Sequence, residues 1–141
     1  MHRSRLCSLV IDCKVEDIDA AADFWGRALG RPVKPAAPDA GGYRDIETRD
    51  DEPIVLVQKV EHPSRIHLDI ETDDLDAEVR RLEALGARRV EFIQRWWVME
   101  APTGQRFCVV RPQRGPLEAH DNTNTWEGEP GKPGEPSEQG G

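Results

Sequence analysis

The sequence is short of aromatic residues and of long apolar runs. Aromatic side chains make up 6% of its 141 residues, whereas charged side chains make up 33%. No apolar run approaches the roughly 20 residues that a membrane-spanning helix requires, so we expect no membrane span. The first residues also lack the apolar core and the cleavage site of a secretory signal, which favours a cytoplasmic protein.

Cysteine is too scarce for a disulfide framework. The chain has three cysteines, an odd number, and Cys7, Cys13 and Cys108 all lie in strand-like segments. Small secreted domains usually carry more cysteines and carry them in pairs. Cysteine usage therefore also predicts a reducing, cytoplasmic environment.

Positive charge is in the minority. Lysine and arginine total 19 against 27 aspartates and glutamates, which gives a formal net charge of -8. A nucleic-acid surface needs a uniform basic patch, and the arginines of residues 80–89 are mixed with acidic residues. We therefore expect no nucleic-acid partner. We expect a small-molecule ligand instead, and the acidity favours a neutral or cationic one.

The C-terminal segment has a different composition from the rest of the chain. Residues 113–141 contain hardly an apolar side chain besides Leu117, Ala119 and Trp126, and "GEPGKPGEP" repeats a Gly-x-Pro triplet. Such a composition cannot bury enough apolar surface to offset the entropy of ordering. The sequence therefore predicts one domain over residues 1–112 and a disordered tail over 113–141.

Two segments of the chain, residues 8–30 and 65–86, resemble each other. The aligned pairs are Asp12 with Asp69, Asp17 with Asp74, Asp19 with Asp76 and Ala20 with Ala77. Both segments end in Ala-Leu-Gly. A long period seen only twice indicates a duplicated supersecondary unit rather than a solenoid.

Each copy begins with a strand pattern and continues with a helix pattern. Asp17 and Asp74 are the predicted N-caps, and Gly30 and Gly86 are the predicted helix ends. The apolar strand faces are Leu9, Ile11 and Cys13 in the first copy and Ile66, Leu68 and Ile70 in the second. Three further strand-like segments follow each helix, which predicts the order βαβββ twice. Because the apolar helix stripes must be buried on the apolar strand faces, the polar residues should line the opposite side of the sheet.

This pattern resembles the vicinal oxygen chelate superfamily, which includes glyoxalase I, bleomycin resistance proteins and extradiol dioxygenases. The resemblance is carried by the Asp-[Ile/Leu]-Asp-Ala helix starts, by "FWGRALG" and by the hairpin "MEAPTGQRFCVV". The resemblance is most specific to the small glyoxalase-like domain proteins. It implies an α+β fold in which two tandem βαβββ units, about residues 6–60 and 64–112, form a cup-shaped curved mixed sheet with helices on the outside. It also implies a homodimer.

The resemblance implies metal ligands on the first and last strands of each unit. The matching positions in the second unit hold His67 and Cys108, but the first unit offers Val10 and residues 55–57, which cannot donate. A catalytic metal usually keeps about three protein ligands. A divalent metal cofactor is therefore left open. Either the usual chelate is abandoned, or it is rebuilt near His67 from Asp12, Asp69, Glu100 or Cys108.

His67 and Glu100 are the candidate catalytic residues, because an imidazole ordinarily titrates near neutrality and a carboxylate can accept a proton. The candidate ligand-binding residues are Asp12, Asp69, Trp96 and Cys108. The alternative interpretation is structural: His67 is a hydrogen-bonded polar residue, the aspartates pair with neighbouring cations, and Cys108 fills space in a strand.

Two functions fit these residues. In the first, the protein binds a small oxygenated organic molecule and acts as a lyase or an isomerase that uses His67. In the second, it sequesters a ligand without turnover and without metal, as the resemblance to bleomycin resistance proteins implies. Bound metal should raise the melting temperature only in the first case.

Overall fold

The computed structural model describes residues 1–128. Its strands are β1 (His2–Cys13), β2 (Tyr43–Ile46), β3 (Ile54–Lys59), β4 (Arg65–Thr72), β5 (Arg88–Ile93), β6 (Trp96–Glu100), β7 (Arg106–Val110) and β8 (Asn124–Trp126). Its helices are α1 (Ile18–Leu29), α2 (Leu75–Ala84) and a single 3₁₀ turn, Leu117–Ala119. The fold is α+β. Within residues 1–128, no helix has both the length and the apolar character of a membrane span.

The strands form a mixed sheet in the order β2-β3-β1-β4-β7-β6-β5, and β8 pairs with β1. The β1–β3 and β4–β7 pairs are parallel, whereas the β2–β3, β5–β6 and β6–β7 pairs are antiparallel. The predicted strand after α1 is reduced to an isolated bridge from Val33 to Ile46. The described residues group into two compact units, one of Ser8–Leu68 and one of Met1–Cys7 with residues 69–128.

The Ser8–Leu68 unit is built around α1. The side chain of Asp17 accepts hydrogen bonds from the amides of Asp19 and Ala20, and Gly30 ends the helix with a φ of 71°. These are the predicted cap and stop, and they satisfy amides and carbonyls that a helix end leaves unpaired. The buried core of this unit comprises Ile11, Cys13, Ile18, Ala22, Ile46 and Val57.

The second unit is built around α2, which begins after the predicted N-cap Asp74. Its buried core comprises Val79, Leu82, Met99 and Val109. Ile70 packs against this core, as the strand pattern predicts. The other members of the predicted apolar face, Ile66 and Leu68, are 59% and 45% exposed. The prediction was wrong for these two residues because α1 packs on β2 and β3 and leaves the start of β4 uncovered.

The segment from residue 113 to 128 departs from the predicted disorder. It contains the 3₁₀ turn and β8, which pairs with residues 2–4 of β1. The few apolar side chains account for this order: Leu117 is buried, and the indole of Trp126 donates to Ser4 Oγ at 2.9 Å while its ring lies 3.9 Å from the Arg81 guanidinium. The Gly-x-Pro triplets fall largely in residues 129–141, which lie outside the described residues.

A buried cluster of charged side chains links the start of β1 to α2. Glu78 Oε1 lies 2.7 Å from His2 Nε2, and Arg81 donates to both oxygens of Glu78 at 2.9 and 2.7 Å. The Glu78 side chain is fully buried. Burial by itself raises the pKa of Glu78, but the hydrogen bonds from Arg81 and His2 outweigh it and hold the pKa below its ordinary value of 4.5. Glu78 is therefore ionised at neutral pH, and its charge stabilises the fold.

Replacing Glu78 with Gln should lower the free energy of unfolding by about 3 kcal/mol near neutral pH, because it leaves His2 and Arg81 without their anion. A carboxyl whose pKa is lowered by folding contributes stability above its unfolded pKa, and that contribution is lost as the pH falls. The gap between the wild type and Glu78→Gln should therefore shrink below pH 4.5. Urea unfolding at about pH 7 and about pH 3.5 measures both values.

Glu83→Gln is the matched control. It removes a carboxylate from the same helix, but Glu83 pairs with Arg89 at the surface, where an ion pair contributes at most about 1 kcal/mol. Equal losses in the two variants, or a gap that does not change with pH, would contradict the assignment of a buried and ionised Glu78.

Candidate functional site

The candidate site starts from a hydrogen bond between Asp12 and His67. Asp12 lies on the face of β1 opposite Ile11 and Cys13, which pack against α1, and it is only 2% exposed. Its Oδ2 lies 2.7 Å from Nδ1 of His67 in β4. A carboxylate accepts hydrogen bonds, so this contact pairs Asp12 with a proton on Nδ1, and a neutral ring in this arrangement has its lone pair on Nε2. Asp12 thus holds the imidazole in the state that a metal ligand or a general base requires.

A row of polar side chains extends from Asp12 across the neighbouring strands. Gln58 of β3 is the register partner of Asp12, and Tyr43 of β2 is the register partner of Gln58. The Gln58 amide donates to Tyr43 Oη at 2.8 Å. The sequence analysis did not select Gln58. The alternation in β3, where Val57 is buried under α1, is the signal that places Gln58 on the polar face.

The carboxylate of Asp12 is buried and only partly satisfied. Nε of Arg65 lies 3.8 Å from the oxygen that His67 contacts, and Oδ1 has no hydrogen-bond partner among residues 1–128. Losing hydration without gaining a partner is costly for a charged oxygen, so the His67 contact must compensate for much of this penalty. Burial and the Asp12 charge together raise the pKa of the Cys13 thiol, which keeps Cys13 protonated.

Three metal-ligand side chains come together on β4 and β7. His67 and Asp69 are two residues apart in β4, so they share a face of that strand. Asp69 is in register with Cys108 of β7. The candidate ligand atoms of the three side chains lie within 4.8 Å of one another. Imidazole nitrogen, carboxylate oxygen and thiolate sulfur are the donors that zinc takes in proteins, so these residues fit a divalent metal.

The position that pairs with His67 in the duplicated sequence holds no donor. Val10 is buried and lies in register with Leu56, so this part of β1 and β3 is apolar. The contribution of β1 to the site is Asp12, two residues further along. A carboxylate behind a ligating histidine fixes the ring and raises its basicity as a ligand. The candidate metal ligands therefore lie on β4 and β7, and Asp12 of β1 contacts one of them, His67.

Glu100 and Trp96 occupy the polar face of β6. Trp97 and Met99 pack in the α2 core, so the alternate residues Trp96 and Glu100 point away from that core, as the sequence pattern predicts. Glu100 Oε1 accepts hydrogen bonds from Arg88 at 2.9 Å and from Arg106 at 3.2 Å. Glu100 is therefore fixed by two arginines, and it lies outside the three-residue donor group found within residues 1–128.

Comparisons with known proteins assign the chain to a family. The family model for the glyoxalase-like domain matches residues 8–110. Methylmalonyl-CoA epimerase from Mycobacterium tuberculosis is 22% identical, with a TM-score of 0.53 over 81% of this chain and 90% of that chain. Hypothetical protein BH1468 from Bacillus halodurans C-125 is 12% identical, with a TM-score of 0.51 over 80% of this chain and 99% of that chain.

A glyoxalase/bleomycin resistance protein/dioxygenase superfamily member from Vibrio splendidus 12B01 is 20% identical, with a TM-score of 0.47 over 75% of this chain and 98% of that chain. No match was found among the curated proteins. The likenesses to the Mycobacterium tuberculosis and Bacillus halodurans structures establish the fold alone. The family match shows more than the fold, because the model describes a sequence family and runs from within β1 to the end of β7, through both copies of the duplicated unit. The chain therefore belongs to the glyoxalase-like domain family.

Proposed function

We propose that this protein binds a small oxygenated organic molecule and catalyses a proton-transfer reaction of the isomerase or lyase type in a site built around His67. The observation that carries the proposal is the 2.7 Å hydrogen bond from His67 Nδ1 to the buried Asp12. A histidine that only packed in a strand would not require a buried carboxylate to set its tautomer. Burying Asp12 costs free energy, and fixing the orientation of His67 for function accounts for that cost.

In this proposal, His67, Asp69 and Cys108 hold a divalent metal. When bound, the metal supplies a Lewis acid that polarises an oxygen of the organic ligand. Asp12 keeps the lone pair of His67 on Nε2 and limits the rotation of its ring. The three side chains offer nitrogen, oxygen and sulfur donors from two hydrogen-bonded strands, which fixes their spacing.

Glu100 remains the candidate proton acceptor. Val98 of β6 is in register with Cys108 of β7, so Glu100 stands two residues along β6 from the neighbour of a candidate metal ligand. Arg88 and Arg106 hold its carboxylate in one position. A base that is held in place loses less entropy when the substrate binds, which favours transfer from a carbon next to a polarised oxygen.

We also propose that the protein works in the cytoplasm. Cys7, Cys13 and Cys108 are all thiols in the structure, and Cys108 is one of the proposed ligands. An oxidising compartment would convert such a ligand to a form that no longer donates to a metal.

Asp12→Asn should change the tautomer of His67. An amide can offer either its oxygen or its NH₂ group to Nδ1, so the preference for a proton on Nδ1 should weaken and Nε2-protonated imidazole should appear. Long-range ¹H–¹⁵N correlation spectra of the two proteins report the tautomer directly. His62, whose ring contacts the Pro63 carbonyl, is the internal reference and should not change. An unchanged tautomer at His67 would contradict the role assigned to Asp12.

Zinc, nickel or manganese should stabilise the wild-type protein, because a ligand that binds only the folded state adds about 2.7 kcal/mol at 100 times its Kd. His67→Ala should abolish this gain, and His62→Ala should keep it. Thermal unfolding with and without metal measures the effect, and mass spectrometry of the intact protein gives the metal stoichiometry. If metals have no effect while an aromatic cation raises the melting temperature, the protein is instead a sequestering module.

A further inference from the structure

We infer that Arg65 recognises an anionic group of the ligand, so that the organic molecule bound at this site carries a carboxylate or a phosphate. This inference deepens the proposed function and rests on it for the location of the ligand beside His67. It differs from the expectation drawn from the net charge, which favoured a neutral or cationic ligand.

The first observation is that the hydrogen-bonding capacity of Arg65 is unused. Its side chain is 46% exposed, and its Nε lies 3.8 Å from Asp12 Oδ2, which is too far for a hydrogen bond. Within residues 1–128, the guanidinium of Arg65 makes no hydrogen bond. The comparison with Arg31 is informative, because Arg31 donates to both oxygens of Glu52 and is thereby satisfied. A guanidinium has five N–H donors, and those of Arg65 are left for water or a ligand.

The second observation is the position of Arg65. It stands two residues before His67 in β4, so the two side chains leave the strand on the same face. Both also approach the same oxygen of Asp12, at 3.8 Å for Arg65 and 2.7 Å for His67. The guanidinium is therefore next to the imidazole. An organic acid whose reacting carbon lies at His67 would place its carboxylate within reach of Arg65.

Local charge outweighs the net charge of the chain at this point. The net charge of -8 sums groups across the whole sequence, and salt screens exposed charges beyond roughly 8 Å at physiological ionic strength. Asp12, which pairs with Arg65, is buried and already accepts a hydrogen bond from His67. The exposed charge at the start of β4 that a ligand can reach is thus the guanidinium of Arg65. Its planar fork matches a carboxylate or a phosphate with two parallel hydrogen bonds.

Binding of simple anions to the full chain tests the inference. The probes are succinate, inorganic phosphate, choline chloride and sodium chloride at equal ionic strength, measured by isothermal titration calorimetry on chelator-treated and on zinc-loaded protein. We expect succinate or phosphate to bind the chelator-treated protein, and choline and chloride not to bind. The stronger of the two anions identifies which anionic group the natural ligand carries.

Arg65→Gln should weaken the binding of the preferred anion at least about tenfold, since it removes the charge and the fork together. Arg65→Lys should recover part of the loss, because it restores the charge alone. Arg95→Gln is the matched control: it removes the same charge from an exposed position in the turn between β5 and β6, and it should leave the affinity unchanged.

Two results would overturn the inference: no binding of either anion beyond that of chloride, or equal anion affinity in the wild type and Arg65→Gln. The test is separable from that of the proposed function. Chelator treatment removes any effect of zinc, and anion binding to the chelator-treated protein should still be weakened by Arg65→Gln, since Arg65 needs no metal to bind an anion. If zinc fails to bind the wild type while succinate binding still depends on Arg65, the metal proposal fails and the anion site stands.

Discussion

The hydrogen bond between Asp12 and His67 is the contact on which the candidate site depends. A carboxylate that is 2% exposed loses nearly all of its hydration, and only a strong donor and a nearby cation can compensate for that loss. His67 supplies the donor at 2.7 Å, and Arg65 supplies positive charge at 3.8 Å. The hydrogen bond that stabilises the buried Asp12 carboxylate also fixes the orientation of the His67 imidazole. The contact between Asp12 Oδ2 and His67 Nδ1 therefore serves both the fold and the candidate site.

Strand β4 shows how a single strand serves the fold and the chemistry at once. Ile70 faces α2 and packs in its core, while His67 and Asp69 leave the strand on the opposite face. Successive side chains of a strand point to opposite faces, and this alternation alone separates the packing residues from the candidate site residues. At the start of the strand, Ile66 remains exposed because neither α1 nor α2 covers it. Behind the polar face of β4, a packed core is therefore present at Ile70, next to α2, and absent at Ile66.

Local features of this fold could be predicted from the sequence, and long-range ones could not. Asp17, Asp74 and Gly30 act within one helical turn, so their residue type and spacing suffice to assign them as caps and stops. The pair of His2 and Glu78 is different, because 76 residues separate its members and neither has a periodic signal. Its existence depends on the sheet order. Residues 113–128 escaped prediction for a related reason: isolated apolar residues such as Leu117 order a segment only when a matching space exists in the fold.

The two aspartates that align in the duplicated sequence, Asp12 and Asp69, illustrate why sequence symmetry does not imply symmetry of function. Each occupies the polar face of the first strand in its copy. Asp69 lies opposite the thiol of Cys108 and belongs to the donor group, whereas Asp12 lies opposite Gln58 and turns to His67. The partner strand decides the role. Val10 contributes no donor, so the first copy has no equivalent of His67. In the proposed metal site, Asp69 is a ligand, whereas Asp12 orients the ligand His67.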